Sequence, residues 1–314
     1  MRVSVVIPVY NAEKYIKRAV DSVIQLNEVK QIILVEDGSK DNSLLICKQL
    51  YSQFDIVEVY QHEKGLNKGA GASRNLGIQK ASMPFVAFLD ADDTYTAQRF
   101  LRDREVFDSN PNCDGAYGAT GVVYLDKEAS ASWEKTGKDE MFIDTINKAI
   151  NPNDLFEYLI GYKNEKNALG YFSIIALTLK RDRLLQSKVN FSESLKLHQD
   201  TVFMLQLAYC LKLYPSETIK PVSLRGVHLN NRFINNPNPK YTRSRQYKTL
   251  RDWAIDLNIK PEIIRYFNRN YLINFLGSKN LVTRLCLLVQ KVMRDKNTRA
   301  NLNWSLIKRL MKSK

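Results

Sequence analysis

Four apolar runs separated by amphipathic stretches fill the first ninety residues, and they constrain the fold more than any other feature. Val3 to Val9 is almost continuously apolar and rich in β-branched residues, interrupted by Ser4 and closed by Pro8. Ile32 to Val35, Ile56 to Val59 and the run beginning at Phe85 follow. Short apolar runs without polar alternation fit strands buried on both faces. Between the first two, Ile16, Val20, Val23 and Ile24 recur at helical spacing, with Lys14, Lys17, Arg18 and Asp21 among them. Asn11 is expected to cap this helix. Asp41 or Asn42 is expected to cap the next, which turns Leu44, Leu45 and Leu50 inward. Gly65 to Gly71 reads as a loop, followed by a short helix from Ser73 to Ala81. Such alternation implies an α/β fold: a mostly parallel central sheet with helices on both faces.

The fourth run, Phe85-Val-Ala-Phe-Leu, ends in Asp90-Ala91-Asp92-Asp93, and the second ends in Glu36-Asp37. Ligands of parallel sheets gather at the carboxyl ends of the strands, so both acidic clusters are expected to face one crevice. Crowded carboxylates need a cation, a hydrogen-bonded ligand or water to offset repulsion and desolvation. An oxygen-rich site of this kind suits Mg²⁺ or Mn²⁺. A solvated turn is the competing explanation for the Asp cluster alone.

Beyond Thr96 the pattern loosens. Arg99 to Phe107 reads as helix, Gly115 to Leu125 and Ile174 to Leu179 as strands, and Lys127 to Asp154 as a polar, flexible insertion. An apolar helix opens at Gln199-Asp200, and helical segments dominate from Tyr241 onward. With 314 residues, 44% of them hydrophobic, the chain can bury a large core, as one large domain with an appendage or as two domains. Cys47, Cys113, Cys210 and Cys286 show no paired spacing, which argues against a disulfide framework or zinc site and fits a reducing compartment. Met1-Arg2 leads straight into a strand, and no apolar run approaches the roughly 18 residues of a membrane span. A cytoplasmic location is therefore expected, soluble or peripheral on the inner face of the membrane.

Gly69-Ala-Gly71-Ala-Ser-Arg74 only partly matches a dinucleotide-binding loop, and no Walker loop is present, so phosphates would be held by metal and basic residues instead. Four segments then occur in order: Val3 to Asn11, Val35-Glu-Asp37-Gly-Ser-Lys-Asp41, Gly71-Ala-Ser-Arg74-Asn75-Leu-Gly77, and Phe88-Leu-Asp90-Ala-Asp92-Asp93. Together they resemble the inverting glycosyltransferases of family two, with the GT-A nucleotide-sugar-binding fold. The resemblance is strong over residues 1–95 and returns weakly from Phe191 to Phe203, where Phe-Ser-Glu-Ser-Leu precedes Gln199-Asp200-Thr.

The resemblance implies roles for individual residues. Pro8, Val9 and Tyr10 would belong to the nucleotide site, with Pro8 and Tyr10 lining the base pocket. Glu36 and Asp37 would join them, Asp37 accepting a hydrogen bond from the uracil N3–H. Arg74 would lie near the diphosphate or support the acidic cluster. Asp90-Ala91-Asp92, an Asp-x-Asp motif, would place Asp90 near the ribose and metal and Asp92 on the Mn²⁺ or Mg²⁺. His228 lies where related enzymes close over the diphosphate and is a further candidate ligand, although a structural role fits it too. Asp200 matches the general base, while Gln199 stands where a Glu is usual. A simple helix cap is the competing explanation for Asp200.

The expected reaction is metal-dependent, inverting transfer of a hexosyl or N-acetylhexosaminyl group from a UDP-sugar to a hydroxyl of a surface glycan or lipid-linked acceptor, such as lipopolysaccharide or capsule. The alternatives are a sugar nucleotidyltransferase of related fold and a non-catalytic nucleotide-sugar-binding or nucleic-acid-binding protein. The expected organisation is a catalytic domain over 1–235, with a nucleotide-binding half (1–95) and an acceptor half (96–235), and a basic helical region over 236–314.

From Lys240 to Lys314 the chain carries 18 Lys and Arg against 4 Asp and Glu, so the whole net charge of +14 lies there. Leu281, Leu285, Leu288, Val289 and Val292 form one helical stripe, and Trp304, Leu306, Ile307, Leu310 and Met311 a second, both interleaved with basic residues. Such helices suit an anionic membrane surface, packing on the catalytic domain, or a homodimer interface. Nucleic acid is disfavoured, because no aromatic-basic module or zinc motif accompanies the charge.

Overall fold

The computed structural model describes residues 1–126, 145–146, 148–161, 170–228 and 238–278. Ten strands follow in chain order: β1 (Val3–Val9), β2 (Val29–Glu36), β3 (Val57–Gln61), β4 (Phe85–Phe88), β5 (Thr94–Tyr95), β6 (Gly115–Tyr117), β7 (Ala119–Tyr124), β8 (Leu177–Lys180), β9 (Leu213–Pro215) and β10 (Pro221–Val227). The helices are α1 (Ile16–Ile24), α2 (Ser43–Gln53), α3 (Ala70–Lys80), α4 (Leu101–Ser109), α5 (Leu155–Leu159), α6 (Arg181–Ser187), α7 (Gln199–Cys210), α8 (Pro239–Asp256) and α9 (Pro261–Gly277). The chain divides into two compact units, 1–196 with 203–231, and 197–202 with 232–314.

The first unit is built on a seven-stranded sheet in the order β3-β2-β1-β4-β8-β6-β9. The pairs from β3 through β4 are all parallel. β8 runs antiparallel to both β4 and β6, and β9 is parallel to β6, so the sheet is mostly parallel as expected. Val5, Ile7, Ile33, Val35, Val86 and Phe88 are fully buried, in keeping with strands covered on both faces. α3 lies directly on β1: a Cβ added at Gly77 would stand 2.2 Å from Val6 Cγ1. A second sheet, β5-β10-β7, joins the segment after the Asp cluster to residues more than a hundred positions later.

Several local expectations change. Asn11 does not cap α1, which starts at Ile16; Asn11 has a left-handed φ of 49° and its Oδ1 accepts the Lys40 N–H at 2.8 Å. At α2 the Asp41 Oδ1 accepts the Ser43 N–H at 3.0 Å, whereas the Asn42 side chain makes no cap. α3 begins at Ala70, so Gly71 is helical and not part of the loop. The single strand expected from Gly115 to Leu125 is two, because the chain leaves the main sheet at Gly118 and enters the second. Ile174 to Ala176 is a 3-10 turn before β8. In the expected flexible insertion, Thr145, Ile146 and Ile150 are buried, and Thr145 Oγ1 accepts the Thr120 N–H at 3.0 Å. The rest of that insertion (127–144 and 147), residues 229–237 and both tail stripes lie outside the described residues.

In the second unit α8 and α9 form a helix pair. Each starts with Pro at its first turn, where a missing N–H costs nothing. Asn238 caps α8 through its side chain, Tyr247 meets Tyr266 edge-on, and Arg251 Nη1 donates to Asn268 Oδ1 at 3.2 Å. No helix among the described residues is long and apolar enough to cross a membrane.

Candidate functional site

The register of β1, β2 and β4 brings the first unit's acidic segments to one edge of the sheet. Val9 pairs with Glu36 and Val6 with Phe88, so the chain leaves all three strands on the same side. Pro8 and Val9 are buried within β1, and Tyr10 is partly exposed beyond it. Side chains tie the first two exits together: Asn11 N–H donates to Ser39 Oγ at 3.0 Å, Ala12 N–H to Ser43 Oγ at 2.8 Å, and Glu13 N–H to Asp41 Oδ2 at 3.1 Å. Burial works to raise the Asp41 pKa, but hydrogen bonds from the Ser43 hydroxyl, Glu13 N–H and Ser43 N–H outweigh it and leave the carboxyl below its ordinary range.

Glu36 and Asp37 are both buried, and both organise loops. Glu36 accepts the Ser39 N–H at 2.5 Å and the Gln61 side-chain amide at 2.6 Å. Asp37 takes the Lys68 N–H at 2.7 Å on one carboxylate oxygen and the Gly69 N–H at 2.8 Å on the other. Its backbone carbonyl accepts the Asn67 side chain at 2.8 Å. Gly38, directly after Asp37, has φ +71°, and a Cβ there would stand 2.6 Å from the Gly65 carbonyl oxygen, so this close approach requires glycine. His62, at the end of β3, completes the group: its Nε2 is 3.1 Å from Ser73 Oγ and 3.6 Å from Asp37 Oδ1. Nothing in the sequence around His62 marks it beyond its place after a parallel strand.

The Asp cluster divides into three environments. Asp90, 35% exposed, is ion-paired with Arg74 from α3. Arg74 is itself buried, its guanidinium 5.3 Å from the centre of the Phe191 ring, and its Nε and Nη1 find no acceptor among the described residues. Asp92, 31% exposed, meets His228 Nε2 through Oδ2 at 3.0 Å, and His228 stacks on Tyr15 with ring centres 4.8 Å apart. Ala91 is buried between them. Asp93 points inward and accepts the Gly226 N–H at 2.8 Å. Burial, with Asp92 and Asp90 alongside, holds its carboxyl well above the ordinary range, against the opposing pull of Arg225 and the Gly226 N–H. Burial also raises the Tyr15 pKa, reinforced by Asp126 and Asp92, and lowers that of Arg18, which Asp93 and Asp92 partly restore.

Among the described residues no three His, Cys, Asp or Glu side chains are arranged to hold a metal unaided. The Asp92–His228 pair is a different donor set: one carboxylate oxygen on a partly exposed Asp and one imidazole nitrogen on a buried His. It fits an Mn²⁺- or Mg²⁺-like cation that takes one or two protein ligands and completes its shell from phosphate and water.

Asp200 lies in the second unit, in the first turn of α7, where its Oδ1 accepts the Thr201 N–H at 2.8 Å. His198 just before it has a left-handed φ of 64°, and its Nε2 is 3.4 Å from Thr242 Oγ1 on α8. Burial lowers the His198 pKa; Asp200 opposes this and Arg243 adds to it. The segment leading to α7 is anchored in the first unit through Asn75, whose side chain exchanges hydrogen bonds with the Phe191 backbone at 2.9 and 3.0 Å.

Comparison with known proteins adds a second line of findings. The sequence model of Glycosyl transferase family 2 matches residues 4–164. Minor teichoic acid biosynthesis protein GgaA of Bacillus subtilis (strain 168) is 29% identical over 223 residues, 67% of this chain and 44% of GgaA. Poly(ribitol-phosphate) beta-glucosyltransferase of Bacillus spizizenii is 28% identical over 210 residues, 65% of this chain and 29% of that protein. This chain therefore spans less than half the length of either relative. Among solved structures, S. aureus TarS 1-349 in complex with UDP-GlcNAc superposes with a TM-score of 0.59 at 16% identity, covering 96% of this chain and 89% of that one. At that identity the likeness shows the fold.

Proposed function

The chain belongs to glycosyl transferase family 2, and from that membership we propose that it transfers a sugar from a UDP-sugar, with inversion, to a hydroxyl of an anionic surface glycan or its lipid-linked precursor. The observation that carries this is the meeting of the Asp37 loop, the Arg74–Asp90 pair and the Asp92–His228 pair at the carboxyl ends of three adjacent parallel strands. A nucleoside diphosphate suits this arrangement in sequence: base toward Tyr10 and Asp37, ribose toward Asp90, diphosphate toward Asp92, His228 and Arg74. Asp37 holds its loop with one lone pair on each oxygen and retains others for a uracil N3–H. Arg74 brings buried N–H groups not consumed by the described protein, which suits an anionic leaving group.

Asp92 and His228 would hold the Mn²⁺ or Mg²⁺, with Asp90 nearby. The cation, when bound, neutralises charge on the departing diphosphate. Asp200 would take the proton from the acceptor hydroxyl as its oxygen attacks the anomeric carbon. The bond to the diphosphate oxygen breaks with its electron pair, and one in-line displacement inverts the centre. GgaA is named for minor teichoic acid biosynthesis and the other relative as a poly(ribitol-phosphate) beta-glucosyltransferase, which supports a phosphate-bearing glycan as acceptor. The excess of Lys and Arg after residue 240 is of the sign such an acceptor, or an anionic membrane face, would attract.

Calorimetry with UDP in Mn²⁺ and in EDTA tests the donor site, and a hydrolysis screen across UDP-sugars names the sugar. Metal-dependent binding of UDP is expected. Binding indifferent to metal would remove the donor assignment.

A further inference from the structure

The turn from Asp90 to Asp93 is fixed by contacts that involve no ligand. The Asp93 N–H donates to the Asp90 carbonyl oxygen at 3.0 Å. Arg18, reaching across from α1, donates from Nη2 to the Asp92 carbonyl oxygen at 2.5 Å. The Asp93 carboxylate, 3% exposed, takes the Gly226 N–H at 2.8 Å. Gly226 is two residues before His228 on the same stretch of chain. A Cβ on Gly226 would lie 2.1 Å from the Asp92 carbonyl oxygen and 2.8 Å from Leu125 Cδ1, so this contact admits no side chain. β10 also pairs with β5, Leu224 opposite Thr94, directly after the turn. One carboxylate thus joins the backbone that carries Asp92 to the backbone that carries His228.

A carboxylate so deeply buried is costly unless its hydrogen bond serves the fold or a site. A turn alone would be satisfied by a solvated Asp or Asn. Asp93 instead spans 133 residues of sequence to reach a glycine amide, and the two side chains beyond that contact, Asp92 and His228, are 3.0 Å apart.

We propose that Asp93 and Gly226 form a latch that sets the separation of Asp92 and His228 for a divalent cation on a diphosphate. Asp93 is in this sense a positioning residue and not a ligand. The inference rests on the donor-site reading above.

The test uses the full chain with Asp93→Ala, Asp93→Asn and Gly226→Ala. Calorimetry measures UDP affinity in Mn²⁺ and in EDTA, and ring ¹⁵N spectra of the metal-free protein follow His62, His198 and His228, the chain's three histidines. Asp93→Ala should weaken UDP binding in Mn²⁺ by about 10- to 100-fold, as expected when a partner orienting a metal ligand is lost. Affinity in EDTA should hold, and the His228 ring signals should move while those of His62 and His198 stay. Asp93→Asn keeps an acceptor oxygen for Gly226 and should restore both readouts. Gly226→Ala should reproduce the Asp93→Ala result and carries the test if Asp93→Ala does not fold. Equal loss in Mn²⁺ and EDTA, or unmoved His228 signals in Asp93→Ala, would overturn the latch. If the wild-type protein binds UDP without regard to metal, the donor-site reading fails instead, and the histidine spectra still decide whether Asp93 positions His228.

Discussion

Arg99 has no exposed surface, yet it lies outside every motif of the sequence. Its Nη1 is 2.8 Å from Asp103 Oδ2, its Nη2 donates to the Leu177 carbonyl at 3.0 Å, and Thr178 Oγ1 donates to the same Asp103 oxygen at 2.6 Å. Within a segment read only as helix nothing marks this pair as buried, because its burial depends on β8 arriving from 74 residues beyond Asp103. Arg99→Met is expected to cost about 3–5 kcal/mol, since it leaves Asp103 charged in the core, and adding Asp103→Leu should recover most of that. Urea denaturation of the three proteins checks this. Asp41 gives a pH dependence of known sign. Its folded pKa lies below the ordinary 3.8, so its contribution is present above that value and is lost as pH falls through the folded value. Denaturation midpoints measured downward from pH 5 should fall less steeply in Asp41→Asn than in the wild-type chain.

At the scale of elements, the periodic strands and α1 were legible because burial on both faces, or on one stripe, leaves a pattern in the residues themselves. Exits and junctions were less so. Asn11 has the chemistry of an N-cap, but tertiary contacts with Ser39 and Lys40 place it in a left-handed turn that joins two loops. Gly69 to Gly71 looks like a loop by composition, yet Asp37 fixes the Lys68 and Gly69 amides and lets α3 start at Ala70. The placement of α3 against β1 then depends on Gly77. Gly77→Ala should press on Val6 and cost about 1–3 kcal/mol, as overpacking does. A lower thermal midpoint, partly recovered by Val6→Ala, would bear this out.

For the molecule as a whole, the two units differ in charge and in their part in the proposed reaction. Asp200→Asn is expected to lower glycosyl transfer about 10²- to 10⁴-fold while UDP affinity stays near the wild-type value. Full transfer activity in a folded Asp200→Asn protein would give the base role to another residue. Removing residues 279–314 should reduce sedimentation with anionic vesicles, since each basic residue near such a surface contributes about 1 kcal/mol. Unchanged sedimentation would favour packing or a dimer interface for that segment.

The four segments from Val3 to Asp93 carried the resemblance to the family by their order, and the α/β class by their local periodicity, because both lie in residues close in sequence. Tertiary structure alone decided which carboxylates face solvent. Glu36, Asp37 and Asp93 turn inward to backbone amides, whereas Asp90 and Asp92 stay half-open beside Arg74 and His228. The physical reason is that the partners of those carboxylates come from distant strands and loops. A string of acidic residues therefore marks a place in the fold, but only the loops after β2 and β3, α3, and β10 closing on Asp92 and Asp93 decide the surroundings of each carboxylate.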